Sequence, residues 1–177
     1  MRVIGGIAKN KKLISGYDNV RPTSDRIKET LFNLLGNIKG TYFLDLFAGT
    51  GNIGIEAISR GTASVCFVEK SFNLCKTIKE NLRLTCFEQK GRVFNKEVNK
   101  SLFSFFKNKC FIFDVIFADP PYERGIVKKI FDIIDFDIVP KDGIFVLQHS
   151  VREKVNNKAI REVQIGDTLL SFYERNT

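Results

Sequence analysis

The sequence contains little of what several kinds of functional site require. It has one histidine, His149, which cannot build a metal site by itself, and four cysteines at unrelated spacings without a C-x-x-C pair. Such cysteines are typical of free thiols in a reducing cytosol. No apolar run reaches the roughly 18 residues of a membrane-spanning helix, and the first residues lack the apolar region of a secretory signal. We therefore expect a cytoplasmic protein with no metal and no membrane segment.

The length and composition are those of a globular protein. The 177 residues, 44% of them hydrophobic and 27% charged, predict one domain with a substantial core. Within it we expect a basic N-terminal hairpin and helix in residues 1–40 and the main α/β core in residues 41–177. The formal net charge is +8, and residues 1–40 carry eight Lys or Arg against three acidic side chains, a net +5. Charge alone leaves two interpretations open: a polyanionic partner at this end, or a solvated basic surface.

Strands and helices alternate along the core, which predicts a mainly parallel, doubly wound sheet of the Rossmann-like type. Apolar runs predict strands at 42–47, 63–69, 92–95, 111–118 and 143–148, and helical spacing predicts helices near 53–60, 71–84, 98–106 and 126–134. The runs at 159–164 and 168–173 predict a closing antiparallel pair. Before the core, residues 2–7 and 12–15 predict a small hairpin, and Thr23 is the expected N-cap of a helix that reaches Gly36.

The stretch of residues 42–56 organises the core. A short apolar run, a glycine-rich turn and a helical segment follow one another, which is typical of the nucleotide-binding start of such a sheet. Gly49, Gly51 and Gly54 satisfy the G-x-G-x-x-G pattern, so a dinucleotide is possible, as is a structural turn without a ligand. Asp45 lies near the end of the strand, where its carboxylate would repel a pyrophosphate and attract the ammonium of a methionine-type cosubstrate. The stretch therefore favours S-adenosylmethionine over a nicotinamide dinucleotide.

Polar residues also end the other predicted strands. Glu69 lies 20 positions after Gly49, the spacing at which an acid accepts hydrogen bonds from a ribose diol. It suits the adenosine of either cofactor, and the alternative is a strand-end acid that faces water. The stretch from Asn95 to Glu97 follows the third strand, and Asp119 follows the fourth. Ligands of such sheets collect at the carboxyl ends of the strands, so these residues are expected to line one site.

Asp119-Pro120-Pro121-Tyr122 comes directly after the strand that is predicted most strongly. Two successive prolines fix φ and remove two N–H donors, so the carbonyls near Asp119 and Pro120 can only accept. Together with the Asp119 carboxylate they would cradle an N–H₂ group, and Tyr122 offers a flat face on which a base can stack. The alternative is a rigid turn that merely ends a strand. The motif favours the amino group of a base as the substrate.

Four parts of the chain together resemble the RsmD family, bacterial methyltransferases of guanine N2 in small-subunit (16S) ribosomal RNA. They are Arg2-Val-Ile-Gly-Gly6 with Lys11-Lys12-Leu13, Arg21-Pro-Thr-Ser-Asp-Arg26 with Glu29-Thr-Leu-Phe-Asn33, Leu44-Asp-Leu-Phe-Ala-Gly-Thr-Gly51, and Asp119-Pro-Pro-Tyr122. The last also resembles the amino-group motif of methyltransferases that act on exocyclic nitrogens of bases. The resemblance runs from Arg2 to about Tyr173 without a large insertion. It implies an S-adenosylmethionine-dependent methyltransferase fold, a cytoplasmic bacterial enzyme and a substrate within the small (30S) ribosomal subunit.

Carried over residue by residue, the resemblance implies two sets of site residues. The target base would be held by Asp119, Pro120, Pro121 and Tyr122. The cofactor would be bound, without a metal, by Asp45, Phe47, Gly49, Thr50, Gly51, Glu69 and Glu97. Glu97 is assigned to the adenine, although this chain has Glu97-Val98 where the family tends to have Asp or Asn followed by Ala. The charge of the N-terminal end, taken with this substrate, predicts that RNA phosphates are contacted, without sequence being read, by Arg2, Lys9, Lys11, Lys12, Arg21 and Arg26.

The residues leave three other functions open. A DNA adenine-N6 methyltransferase uses the same four-residue motif, but it normally needs a separate region to read sequence, for which 177 residues leave little room. A non-catalytic RNA-binding or ribosome-assembly protein would not need both the glycine-rich turn that favours S-adenosylmethionine and the Asp119 cradle. A NAD-dependent oxidoreductase is disfavoured by Asp45 and by the missing catalytic His or Tyr-Lys pair.

Overall fold

The computed structural model describes residues 1–15, 24–121 and 125–175. Within these residues there are seven strands and five α-helices, which alternate as far as the fifth strand. A short 3-10 turn, Phe136–Ile138, precedes that strand, and the last two strands follow it without a helix. The strands are β1 Tyr42–Leu46, β2 Ser64–Glu69, β3 Gly91–Asn95, β4 Val115–Ala118, β5 Ile144–Ser150, β6 Arg161–Ile165 and β7 Thr168–Glu174. The helices are α1 Asp25–Leu35, α2 Asn52–Ser59, α3 Phe72–Thr85, α4 Lys100–Asn108 and α5 Ile126–Ile133.

The seven strands form one sheet in the order β3-β2-β1-β4-β5-β7-β6. β1 to β5 are parallel to one another, whereas β7 is antiparallel to both β5 and β6. The predicted parallel sheet with a closing antiparallel pair is therefore confirmed. The strand order reverses between β1 and β4, and the carboxyl ends of these two strands form the crevice where such sheets bind ligands.

Alternating side chains give the sheet two apolar faces, and helices cover both. On one face, Phe43 and Phe67 pack with residues of α1, α2 and α3, and the N-terminal segment, residues 1–15, adds Val3 and Leu13. On the other face, Leu44 packs with residues of α4 and α5. In the described part of the chain, no helix combines the length and the apolar character needed to cross a membrane. Because helices cover both faces, a ligand of the sheet is expected at the polar strand ends of the carboxyl edge.

The strand predicted at 111–118 is wrong in its first half. It begins only at Val115. Phe111 and Phe113 stack on each other with ring centroids 5.8 Å apart, and the N–H of Phe113 bonds to the carbonyl of Ile138 instead of to a neighbouring strand. Aromatic residues have a high strand propensity, but here their packing in the core decides the backbone conformation.

The N-terminal part differs from its prediction in two details. Ser24, not Thr23, is the N-cap of α1, since its hydroxyl accepts a hydrogen bond from the N–H of Ile27. The two arms of the predicted hairpin do meet antiparallel, but their regular pairing is a single bridge between Arg2 and Lys12. Two N–H groups of the first arm, those of Ile4 and Ile7, bond instead to the Glu56 carboxylate and the Ser59 carbonyl of α2, which limits the pairing of the arms.

Gly54 sets the distance between α2 and the sheet. A Cβ atom at this position would lie 2.2 Å from Cε1 of Phe67 and 2.8 Å from Cγ1 of Val65, and both side chains are buried in β2. The Gly54 N–H also donates a hydrogen bond to the Asp45 carboxylate at 2.9 Å. The third glycine of the sequence pattern is therefore required by close packing of the helix on the strand.

Replacing Gly54 with Ala should destabilise the protein by about 1–3 kcal/mol, the usual cost of overpacking a core. The added methyl group would force Phe67 or α2 to move. Urea denaturation followed by circular dichroism measures the change in the free energy of unfolding. Phe67→Leu makes room at the same place, so Gly54→Ala should cost less in that background than in the wild type. Equal costs in both backgrounds would contradict the packing argument.

Candidate active site

Three carboxylates come together at the carboxyl edge of the sheet. Asp45 of β1 is paired with Phe67 of β2 and with Phe117 of β4, and residues paired in neighbouring strands point to the same face. Glu69 and Asp119 lie two positions further along, so the alternation of side chains carries them to the face of Asp45. Over the described residues, no group of three His, Cys, Asp or Glu side chains is arranged to hold a metal ion. The sheet register thus gathers the strand-end acids as expected.

Asp45 is the most buried of the three carboxylates. The residue is 2% exposed, and its Oδ2 accepts a hydrogen bond from the N–H of Gly54 at 2.9 Å. Burial raises the pKa of Asp45 to about 8; the charges of Asp119 and Glu69 add to the increase, whereas the Gly54 hydrogen bond opposes it. A cation bound beside Asp45 would favour its ionised form. The environment therefore suits a partner such as an ammonium group.

Glu69 is held at the end of β2 by two backbone groups. Its Oε2 accepts a hydrogen bond from the N–H of Gly49 at 2.9 Å, and its Oε1 accepts one from the N–H of Ser71 at 2.8 Å. An ionised carboxylate has about four acceptor positions, so each oxygen can accept a second hydrogen bond from a ligand. The carboxylate is thus oriented and retains the acceptor capacity that a ribose diol needs.

The cofactor turn, residues 47–51 between β1 and α2, has an unusual backbone. Phe47, Gly49 and Gly51 have φ angles of 59°, 57° and 80°, which glycine adopts without strain and phenylalanine rarely does. Phe47 is half-buried and packs on the α4 and α5 side of the core, whereas Thr50 is buried. A strained residue that is not glycine, at the end of a central strand, is typical of a site shaped for a ligand.

The end of β3 is tied to the end of β2 through Asn95. Its Nδ2 donates hydrogen bonds to the carbonyl of Glu69 at 3.0 Å and to the carbonyl of Lys70 at 2.8 Å. Asn95 thereby supports the backbone that carries the Glu69 carboxylate. Glu97 is exposed in the connection to α4, and its contact with an adenine stays a prediction.

Residues 119–121 leave β4 beside the cofactor turn. β1 and β4 are paired up to their last residues, so Asp119 and Phe47 are the next residues on the two neighbouring strands. Asp119 is half-buried and Pro120 is buried, which fits a rigid segment at the edge of the crevice. Tyr122, the predicted stacking residue, lies outside the described residues.

The basic residues that were predicted to bind RNA differ in their surroundings. Arg2 is exposed and forms an ion pair with Asp25 at 3.2 Å. Arg21 lies outside the described residues. The other four are exposed on the N-terminal segment and on α1: Lys9, Lys11, Lys12 and Arg26. These exposed basic side chains are accessible to a polyanion.

Lys28 is one of the eight basic residues counted in residues 1–40, but it is not accessible to a partner. The residue is 0% exposed, and its Nζ donates hydrogen bonds to the carbonyl of Arg2 and to Oδ1 of Asn52. The Glu56 carboxylate lies 3.6 Å away. Burial lowers the pKa of Lys28, and the negative charges of Glu56 and Asp25 oppose this. Counting Lys28 as part of a basic surface is therefore wrong.

Two buried polar side chains near the cofactor turn were not singled out from the sequence. They are Lys28 and Asn81, and both are 0% exposed. Each falls on the apolar stripe of its helix, three residues from Leu31 in α1 and three residues from Ile78 in α3. A polar residue on such a stripe needs a buried partner, and this is the signal by which both could have been found.

The model of the family described as "Conserved hypothetical protein 95" matches residues 1–174. The chain belongs to this family. It is 35% identical over 173 residues to "Putative rRNA methyltransferase YlbH" of Bacillus subtilis, with 96% of this chain and 88% of that protein covered. It is 34% identical over 137 residues to ribosomal RNA small subunit methyltransferase D of Escherichia coli K12, with 76% of this chain and 67% of that protein covered.

Solved structures share the fold of this family member. The hypothetical protein TTHA0928 of Thermus thermophilus is 28% identical, with a TM-score of 0.84 over 98% of this chain and 99% of that one. An RNA methyltransferase from Salinibacter ruber, in complex with S-adenosyl-L-homocysteine, is 15% identical, with a TM-score of 0.69 over 87% of this chain and 93% of that one. The second likeness concerns the fold alone. The fold is that of S-adenosylmethionine-dependent methyltransferases, as predicted.

The environment of Asp45 predicts a dependence of stability on pH. In an unfolded chain an aspartate ionises near pH 4, whereas folded Asp45 keeps its proton up to about pH 8. Folding takes up a proton between these values, so the contribution of Asp45 to the free energy of unfolding falls as pH rises from about 4 to about 8. Asp45→Asn stays neutral and should lose this dependence, which urea denaturation across this pH range would measure.

The control is Asp142→Asn, at an exposed position. It should follow the pH profile of the wild type. If the difference in unfolding free energy between wild type and Asp45→Asn stayed constant across the pH range, the prediction that folded Asp45 is protonated up to about pH 8 would be wrong.

Proposed function

We propose that this protein is an S-adenosylmethionine-dependent methyltransferase that transfers a methyl group to the exocyclic N2 of a guanine in small-subunit ribosomal RNA. The observation that carries this proposal is the meeting of the cofactor turn, the Glu69 carboxylate and the segment 119–121 at one edge of the sheet. The relatives support the class of substrate, since they bear the names of small-subunit rRNA methyltransferases.

The residues at this edge fit S-adenosylmethionine. Glu69 offers its remaining acceptor positions to a ribose diol, and Asp45 offers a carboxylate to the ammonium group. Gly49 and Gly51 let the backbone of the cofactor turn approach the ligand closely. When bound, the cofactor supplies an electrophilic methyl group on a sulfonium. The site of the methyl acceptor then needs groups that orient a weak nucleophile towards this methyl group.

Asp119 and the Pro120 carbonyl are the proposed acceptors of the guanine amino group. Guanine N2 is a poor nucleophile because its lone pair is delocalised into the ring. Two fixed acceptors favour a pyramidal nitrogen, and orientation of this kind can lower a barrier by about 7–11 kcal/mol in good cases. The acceptors also stabilise the positive charge that develops on the nitrogen. Tyr122 would stack on the base.

The exposed basic surface of the N-terminal segment and α1 is the proposed contact to RNA phosphates. It includes the exposed lysines of the N-terminal segment. It also includes a cleft of about 310 Å³ that is lined by Arg2, Arg26 and Arg60 together with two acidic residues. Arginine side chains can donate paired hydrogen bonds to a phosphate. The target base must be unpaired or flipped out to reach Asp119. The proposed substrate is a small-subunit RNA within the 30S particle, in the cytoplasm.

Transfer of a radiolabelled methyl group tests the proposal against its rivals. The protein is incubated with labelled S-adenosylmethionine and, separately, with unmethylated small ribosomal subunits, duplex DNA and free guanosine. Incorporation into small subunits alone supports the proposal, and mass spectrometry then shows whether the methyl group is on guanine N2. Incorporation into DNA adenine would favour a DNA methyltransferase. No incorporation into any substrate would favour a non-catalytic RNA-binding protein.

Asp119→Ala should lower the single-turnover rate of methyl transfer by about 10²-fold or more, the usual effect of losing one preorganised polar contact. Asp119→Asn retains a side-chain carbonyl and should keep partial activity. The affinity for S-adenosylmethionine, measured by calorimetry, should stay near the wild-type value in both variants, because the segment binds the base. A wild-type rate in Asp119→Ala would exclude Asp119 from the target site.

Replacing Lys9, Lys11 and Lys12 together with Ala should weaken binding to small subunits and flatten its dependence on salt. Each lost phosphate contact lowers the slope of log K against log salt by roughly 0.7–0.9. Filter binding at several salt concentrations gives this slope. The affinity for S-adenosylmethionine should not change, because these side chains are exposed.

A matched control removes the same amount of charge from the opposite face of the sheet. It replaces three exposed lysines in or near α5, namely Lys128, Lys129 and Lys141. This variant should keep the wild-type slope. If both triple variants changed the slope equally, the N-terminal lysines would be part of a general charge effect and not of a specific contact.

A further inference from the structure

The N-terminal segment touches the cofactor turn at its first residue. The Thr50 hydroxyl donates a hydrogen bond to the sulfur of Met1 at 3.5 Å. The segment is held together by its own hydrogen bonds, from the Val3 N–H to the Lys11 carbonyl and from the Asn10 N–H to the Val3 carbonyl. The lysines proposed to meet RNA therefore lie on a part of the chain that directly contacts the cofactor turn.

Asn81 of α3 joins the other end of the segment to the same turn. Its Nδ2 donates hydrogen bonds to the carbonyl of Thr50 at 3.0 Å and to the carbonyl of Ile14 at 3.1 Å. Its Oδ1 accepts a hydrogen bond from the N–H of Ile14 at 2.7 Å. Asn81 is 0% exposed, so water cannot replace these bonds if the amide is removed. One buried amide thus holds the turn and the segment together.

Lys28 makes a second connection that does not involve α3. Its Nζ donates to the carbonyl of Arg2 and to Oδ1 of Asn52, the first residue of α2 directly after the turn. The Glu56 carboxylate lies 3.6 Å from this ammonium group and accepts a hydrogen bond from the N–H of Ile4 at 2.8 Å. The segment is therefore attached near both of its ends, and the exposed lysines lie between the attachments.

We infer that Asn81 is a positioning residue that couples RNA binding on the N-terminal segment to cofactor binding at the turn. The inference rests on the proposed function. A ligand that fixes the backbone of the cofactor turn or of the N-terminal segment also restrains the other through the Asn81 hydrogen bonds. The second ligand then loses less conformational freedom on binding, so each ligand raises the affinity for the other. Such coupling is reciprocal, which requires the same factor in both directions.

Binding of S-adenosylhomocysteine, which cannot transfer a methyl group, measures this coupling. Its Kd is determined by equilibrium dialysis for the wild type alone and with saturating, unmethylated small ribosomal subunits. The Kd of the subunits is determined with and without S-adenosylhomocysteine. We expect the same increase in affinity in both directions, about fivefold or more. Unchanged affinities in the wild type would overturn the inference.

Asn81→Leu keeps a similar volume and removes all three hydrogen bonds, so it should bring the coupling factor close to one while small subunits still bind through the lysines. Asn81→Asp retains the acceptor for the Ile14 N–H but cannot donate, and it should lose most of the factor as well. The triple lysine variant is the opposite control, because S-adenosylhomocysteine measured alone should bind it normally. A wild-type factor in Asn81→Leu would contradict the role of Asn81.

Hydrogen–deuterium exchange of the wild type provides a test that needs no variant. S-adenosylhomocysteine should slow amide exchange in residues 2–14, and small subunits should slow it in residues 48–52. Protection confined to the residues that contact the added ligand would overturn the inference. If S-adenosylhomocysteine binds and small subunits do not, the proposed function fails and the inference with it. If both bind but independently, only the inference fails.

Discussion

The buried pair of Lys28 and Glu56 is the interaction on which the packing of the first part of the chain depends. Both side chains are fully buried, with 3.6 Å between the ammonium and the carboxylate. Removing two charges from water is costly, and here the attraction between them is supplemented by an ion pair of Glu56 with Arg60 at 2.8 Å and by further hydrogen bonds. Those bonds reach Asn52 and the backbone of residues 2 and 4. The pair therefore joins the N-terminal segment, α1 and α2.

This arrangement also positions the cofactor turn, because α2 begins where the turn ends. On the sheet side, Asp45 accepts from the N–H of Gly54 and Glu69 accepts from the N–H of Gly49. On the outer side, Asn81 holds the carbonyl of Thr50. Burial and the charges of Asp119 and Glu69 raise the cost of ionising Asp45, and a cationic ligand relieves that cost. A sulfonium cosubstrate with an ammonium group has the charge that such an edge favours.

Local patterns were sufficient for most elements of the fold. The helix expected at 71–84 is observed at Phe72–Thr85, and the strand expected at 42–47 ends one residue earlier, because apolar spacing and cap residues act over a few positions. The strand expected at 111–118 starts late because its first aromatic residues are drawn into the core by contacts with one another. Such contacts involve partners that no local pattern specifies, which is why propensity alone misplaced the boundary.

The sequence by itself determined which residues could carry the chemistry and where they would gather. Asp45, Glu69 and Asp119 were found because each lies at or near the end of an apolar run, and parallel strands bring their carboxyl ends to one edge. Only the tertiary structure decided that Lys28 is buried and that Asn81 joins the N-terminal segment to the cofactor turn. Their partners lie 24 to 67 positions away along the chain. A local pattern shows that a polar residue falls on an apolar stripe, but the three-dimensional packing alone supplies the partner that makes its burial possible.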